Sequence, residues 1–237
     1  MKLLHKSYLV CIVLSITTLS FAQRAGRNLP DFERRKFFFG TMLGVNTTTY
    51  NYQLNKNEIF SDSLKGIAIN SQPGFAIHLP VVSYNPVSVV SIRTVPSISF
   101  HETEFVYSYI QKDKLKTKST RTQPTLINFP LLIKLSTKRL TNFSAYALSG
   151  FSYSIDLASQ KDVDQTLSEP IIKLKQHDYA YHVGGGFDFY MPYFKFGIDI
   201  KLTNGINNLL IQDNTFFSKP LSSLKSHIWW FSITFEG

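Results

Sequence analysis

Few residues in this chain of 237 could do chemistry. His182, Asp188 and Asp199, with a serine on the same side of the chain, are the raw material of a hydrolytic triad: a base, a carboxylate to orient it and a hydroxyl to attack. Enzymes that modify outer-membrane lipids carry such sets on an outward rim that meets the lipid. His182 instead shares its parity with Ala180, Gly184, Gly186 and Asp188. That side is the polar one, so the simpler reading is an interior histidine satisfied by hydrogen bonds. The other histidines, at 5, 78, 101, 177 and 227, form no pair at metal-ligand spacing, and no metal or other cofactor is implied. Gly184-Gly185-Gly186 precedes no helical pattern and is not a nucleotide fingerprint. Inside a strand pattern such a run marks close packing or a bend. The one cysteine, Cys11, lies in an apolar leader, which leaves the rest of the chain without thiol or disulfide chemistry. The residues therefore read as those of a non-enzyme.

What positions these groups is a two-residue period. From 177 to 190, Tyr179, Tyr181, Val183, Phe187 and Phe189 alternate with Asp178, Ala180, His182 and Asp188. After Met191-Pro192, Phe194, Phe196, Ile198, Ile200 and Leu202 alternate with Lys195, Gly197, Asp199 and Lys201. Successive side chains of a strand point to opposite faces, so each run is a strand with one apolar and one polar face. Each is about the nine to eleven residues that a tilted transmembrane strand needs. A soluble sandwich would turn the apolar face inward; a membrane barrel turns it out and keeps a polar interior.

The leader favours the membrane. Residues 1–6 are basic, 7–20 are apolar but too short to cross a bilayer, and Ser20-Phe21-Ala22 offers a cleavage site, so 1–22 reads as a secretory signal peptide. A secreted chain of this length without disulfides suits a bacterial envelope. The formal charge of +9 suits contact with phosphate-bearing surfaces. No basic helix or RNA-binding motif accompanies it, so lipids of the outer membrane are the expected partner and nucleic acid is not.

The pattern predicts eight strands, near 37–52, 74–79, 87–109, 122–135, 142–157, 177–190, 194–202 and 226–235. Ser83-Tyr84-Asn85-Pro86 reads as a turn, and Pro96 should interrupt its strand with a bulge. The stretches 53–72, 111–121, 158–176 and 203–225 read as long connections, with short ones between. The fold class expected is all-β: an eight-stranded antiparallel up-and-down transmembrane β-barrel of the outer membrane, with both termini periplasmic. The division is a signal peptide at 1–22, a periplasmic lead-in at 23–36 and the barrel at 37–237. The polar parity names Arg93, Lys134, His182, Asp188, Lys195, Asp199 and Lys201 as interior candidates. For the hairpin around Met191-Pro192 a four-residue connection at 190–193 is expected. It would pair Asp188 with Lys195 and Phe189 with Phe194 on like faces.

Several irregular strings resemble the PorT family: NFPLLIKLSTKR at 128–139, ASQKDV at 158–163, FDFYMPYFKFGI at 187–198, DNTFFSKP at 213–220 and WWFSITFEG at 229–237. The likeness starts at Asn28-Leu29-Pro30-Asp31-Phe32 and covers nearly all of the chain after the leader. PorT is an outer-membrane component of the type IX secretion and gliding system of Bacteroidetes. The resemblance implies a small barrel required to export proteins with C-terminal sorting domains, working beside other components of that system. It implies no active site. An interior of this width would make the chain a scaffold or assembly factor and not the conduit. Asn28, Leu29, Pro30, Asp31 and Phe32 are then candidates for docking a periplasmic partner. A lipid-modifying enzyme and a structural or adhesive barrel are the competing readings.

Overall fold

The computed structural model describes residues 26–55, 64–159, 171–213 and 215–237; the leader and the centre of the 158–176 connection lie outside the described residues. A 3-10 turn, Phe32–Arg34, precedes the sheet. The strands are β1 (Phe37–Leu54), β2 (Leu64–Val87), β3 (Val90–Thr94), β4 (Ser97–Gln111), β5 (Lys114–Thr122), β6 (Thr125–Ser136), β7 (Phe143–Asp156), β8 (His177–Tyr190), β9 (Lys195–Gly205) and β10 (Leu221–Glu236).

Eight up-and-down strands are therefore not what the chain forms. Among the described residues the strands form one ten-stranded sheet, and every pairing is antiparallel. The ladder runs from β2 through β1, β10, β9, β8, β7 and β6, and β6 pairs with both β3 and β4, which each pair with β2. Two local causes account for the higher count. The first is Val95-Pro96, which separates β3 from β4. Proline has no N–H for the ladder, so a break replaces the expected bulge. The second is the basic stretch 111–121, which is not a loop. Lys112 and Asp113 take φ of 52° and 57°, a tight two-residue turn, and β5 folds back along β4 in register from Gln111↔Lys114 to Thr103↔Thr122. Among the described residues β5 pairs with β4 alone, so it forms an edge of the sheet as a flap.

The other boundaries move for similar reasons. β2 starts at Leu64, inside the polar stretch expected as a connection. It continues through Ser83-Tyr84-Asn85-Pro86 with an irregularity between Tyr84 and Val87, and the turn falls at Ser88-Val89. In the β8–β9 hairpin the connection is Met191–Phe194, closed by the Met191 N–H donating to the Phe194 carbonyl at 2.9 Å. Tyr190 pairs with Lys195, and Phe189 with Phe196. The register is thus two residues from the one expected. Asp188 lies opposite Gly197, and Lys195 is its diagonal neighbour on the same face.

Which face is inside is settled by exposure. Leu131, Phe151 and Trp229 are 61 %, 67 % and 50 % exposed, whereas Arg93, Asp199 and Glu236 are 1 %, 1 % and 2 % exposed. Apolar side chains face out and ions face in, the reverse of a soluble sandwich. Water would penalise each bare Leu or Phe by about 1.5–3 kcal/mol, and hydrocarbon removes that penalty. The short connections, the start of β1 and the end of β10 gather at one end: Glu236 lies opposite Gly40 and Lys195, and Val87 opposite Val90. The longer connections lie at the other.

Candidate functional site

The interior has three zones. Nearest the short connections is a charged cluster. β3 and β6 carry Arg93 and Lys134 on their inward parity; β8, β9 and β10 bring Asp188, Lys195, Asp199, Lys201 and Glu236. Arg93 is ion-paired to Glu236 and stands 4.0 Å from Asp199. Lys195 reaches Glu236 at 2.5 Å and Asp188 at 3.7 Å, and Lys134 reaches Asp188 at 2.7 Å. Tyr146 donates from its hydroxyl to Asp199 at 3.3 Å, while the Lys134 ammonium lies 3.6 Å from the centre of the Tyr146 ring. The Lys201 ammonium sits 5.2 Å from the Trp230 ring centre. Desolvating so many ions costs more than isolated pairs return, so the gain lies in mutual fixing: every charge but Lys201, which lies over the Trp230 ring, has an ionic partner from another strand.

Glycine makes room for this. Tyr146 pairs with Gly186, and a Cβ built on Gly186 would fall 2.6 Å from the Tyr146 hydroxyl and 2.2 Å from the Ile198 carbonyl. The phenol lies across the bare backbone of β8, which is the close approach expected of the glycine run.

The middle zone is neutral and polar. Trp230 donates its indole N–H to the Thr203 hydroxyl at 2.9 Å, and that hydroxyl is hydrogen-bonded to Nδ1 of His182 at 2.7 Å. His101 is held between Thr48 and Ser99, at 2.6 and 2.8 Å. Asp178 accepts from Ser226 at 2.6 Å. These groups do not build the triad considered from sequence. Asp188 is engaged by two lysines, His182 by Thr203, and the serine beside Asp178 has no histidine. The serine–histidine contact that is found among the described residues, Ser99–His101, is backed by a threonine and not by a carboxylate. Among the described residues no group of His, Cys, Asp and Glu could hold a metal ion. The cavity lined by His182, Lys201, Thr203 and Trp230 measures about 20 Å³, room for roughly one water.

Both ends are filled by apolar groups. At the end of the long connections, Ile172, Leu174, Leu209, Leu210 and Phe217 pack on Tyr50, Phe105 and Tyr107. A short backbone ladder, Lys175 N–H to the Leu209 carbonyl at 2.8 Å and Ile211 N–H to the Lys173 carbonyl at 3.0 Å, holds the two connections together. At the other end the lead-in folds back. Phe32 stacks on Phe38 with centroids 4.2 Å apart and meets Tyr190 edge-on. Asn28 donates its N–H to Asn142 at 2.8 Å and its amide to the Tyr190 carbonyl at 2.9 Å. Arg139 donates to the carbonyls of Asn28 and Leu29 and lies over the Tyr190 ring. Leu29, at φ 47°, makes the bend that turns the segment inward. Of the five docking candidates, Asn28, Leu29 and Phe32 thus spend their contacts on the chain's own turn, and Pro30 and Asp31 stay exposed.

All seven interior candidates are buried, and six form or border the charged cluster while His182 sits above it. Glu236 is not among them, yet it shares the parity of Ser232 and Thr234 against Phe231, Ile233 and Phe235. That parity was the available signal.

A β-sheet with a lipid-compatible exterior and an ionic interior defines an outer-membrane β-barrel protein. Residues 21–210 match the family described as the outer membrane protein beta-barrel domain, and the chain belongs to that family. No curated protein matches. Among solved structures, the outer membrane protein OprG from Pseudomonas aeruginosa is 10 % identical with a TM-score of 0.51, covering 85 % of this chain and 96 % of that one. The N-terminal beta-barrel domain of Pseudomonas aeruginosa OprF is 9 % identical with a TM-score of 0.34, covering 84 % and 99 %. The likeness to OprG bears on the fold alone.

Proposed function

We propose that the chain is a structural, non-enzymatic outer-membrane barrel that does not conduct and works through its two ends. The observation that carries this is the filled interior: paired charges in the middle and an apolar seal at each end. The cavity in the middle of the interior holds about one water, too little space for a folded protein to pass. Purified protein in planar bilayers should give no large, steady single-channel current; such currents would overturn the reading. The short connections and both termini are taken to face the periplasm. A tag placed in 136–141 should then escape surface labelling on intact cells, and labelling there would reverse the orientation.

A second reading concerns the system served. The strings at 128–139, 187–198 and 213–220 resemble the PorT family, which favours a role as scaffold or assembly factor in type IX secretion beside other components of that system. Deletion should leave the envelope intact while cargo with C-terminal sorting domains accumulates unprocessed in the periplasm. Gliding should fail where the organism glides. Normal export from the deletion strain would reject this second reading and leave the structural one standing. The lead-in supports a lid more than a free docking arm, since Asn28 and Phe32 are already engaged.

A further inference from the structure

The flap formed by β4 and β5 carries a one-sided arrangement that the barrel itself does not need. On the face that continues the interior parity, Tyr107 lies opposite Lys118, Tyr109 opposite Lys116, and Gln111 opposite Lys114. Lower down the same face holds buried Phe105 and Thr120, so it looks over the mouth and not toward the lipid. Alternate residues of a strand are about 7 Å apart, which sets the lysines in an even row. Lys118 stands 5.8 and 5.4 Å from the ring centres of Phe216 and Phe217. Tyr109 meets Phe216 at 5.3 Å, and Phe216 is 41 % exposed. The other face of the flap differs. There Arg121 is neutralised by Glu102 and Glu104, both at 3.5 Å, beside Leu115 and Thr117. Among the described residues no carboxylate lies within 4 Å of Lys112, Lys114, Lys116 or Lys118.

Lysines placed only to discourage edge pairing have no reason to share one face with tyrosines and an open phenylalanine. We infer that the mouth face of the flap binds an acidic polysaccharide, its carboxylates spaced along Lys114, Lys116 and Lys118 and a sugar ring lying on Phe216. The regular cation row suits a chain with a repeating charge. A single-stranded nucleic acid needs a succession of open ring faces for its bases, and here Tyr107 is fully buried. An outer-leaflet lipid would meet the opposite face. The inference rests on the outward placement of the long connections.

The test uses the full chain in detergent micelles, with polygalacturonate, neutral dextran, polyglutamate and oligothymidylate as probes. Polygalacturonate should bind and weaken with salt, and dextran should not bind. Replacing Lys114, Lys116 and Lys118 by Gln together should weaken polygalacturonate by at least about tenfold. Lys173→Gln with Lys175→Gln should leave binding unchanged. Phe216→Ala should weaken polygalacturonate but not polyglutamate. Folding of each variant is checked by its heat-dependent gel shift. Absence of binding, binding untouched by the triple change, or tighter oligothymidylate or polyglutamate binding would overturn the inference. A tag between Lys112 and Asp113 tests placement separately: no labelling on intact cells overturns the outward source of the ligand, whatever the micelles show.

Discussion

Phe32, in the segment before the first strand, stacks on Phe38 inside that strand with ring centroids 4.2 Å apart, so the chain covers its own opening before it builds the wall. The Lys195 ammonium lies 4.9 Å from the Phe32 ring centre, which joins this cover to the charged cluster behind it. Phe32→Ala should cost the cover and spare the barrel. Trypsin should then cut at Arg27, Arg34 and Arg35 much faster than in the parent, while the heat-dependent gel shift stays. Equal cutting rates in both would show that the segment is not held by Phe32.

Glu236→Gln tests the cluster. It leaves Arg93 with the more distant Asp199 alone and Lys195 with Asp188 alone. Removing one partner of a buried ion pair costs roughly 3–5 kcal/mol, so the urea midpoint should fall clearly. Arg93→Met added to Glu236→Gln should recover part of the loss, since the stranded charge goes. A midpoint unchanged by the single substitution would refute the pairing.

Gly186→Ala puts a methyl where the Tyr146 ring and the Ile198 carbonyl already stand. Overpacking of this kind costs about 1–3 kcal/mol. Tyr146→Ala in the same chain should relieve the ring contact but not the carbonyl one, so the double variant should lie between the parent and a simple sum. Additive losses would mean that the two residues do not touch.

Asp213 gives a pH-dependent prediction outside the strands. Burial opposes its ionisation, but hydrogen bonds from Ser218 at 2.5 Å and from the Thr215 hydroxyl at 2.8 Å outweigh this and hold the carboxyl below the ordinary aspartate range. A lowered folded pKa means that the ionised form is favoured by folding. The contribution is therefore complete above the unfolded value and is lost as pH falls through the depressed folded one. A carboxyl-carbon NMR titration should place the midpoint below that of a free aspartate, and Ser218→Ala should raise it. A midpoint at or above the ordinary range would sink the argument.

Much of this was readable in the letters, because a period of two needs no tertiary information. Asp188, Lys195, Asp199 and Lys201 declared their face by alternation with Phe187, Phe196, Ile198 and Ile200. Exposure agrees at each of the four. The flap was not readable in the same way. Its alternation is lysine against leucine, threonine and serine, with little apolar contrast, so charge density spoke for a loop. The strand exists because the Lys112-Asp113 turn and the β4 ladder supply what the pattern lacks. The hairpin register failed by two residues because parity fixes only the face, and a shift of two preserves it. The fold-back of Asn28 and Phe32 depends on Asn142, Arg139 and Tyr190, more than a hundred residues on, and no local signal announces such contacts.

The position of Glu236 has a consequence for biogenesis. It stands in the last strand of the sheet, and its partner Arg93 was made 143 residues earlier. Until the final strand docks, Arg93 lacks its closest counter-ion and Lys195 lacks one of its two, in a compartment about to be surrounded by hydrocarbon. Release into the bilayer before that moment is energetically penalised, and release after it is not. A product that lacks this strand keeps Arg93 and Lys195 short of a counter-ion, so its own unneutralised interior marks it as unfinished.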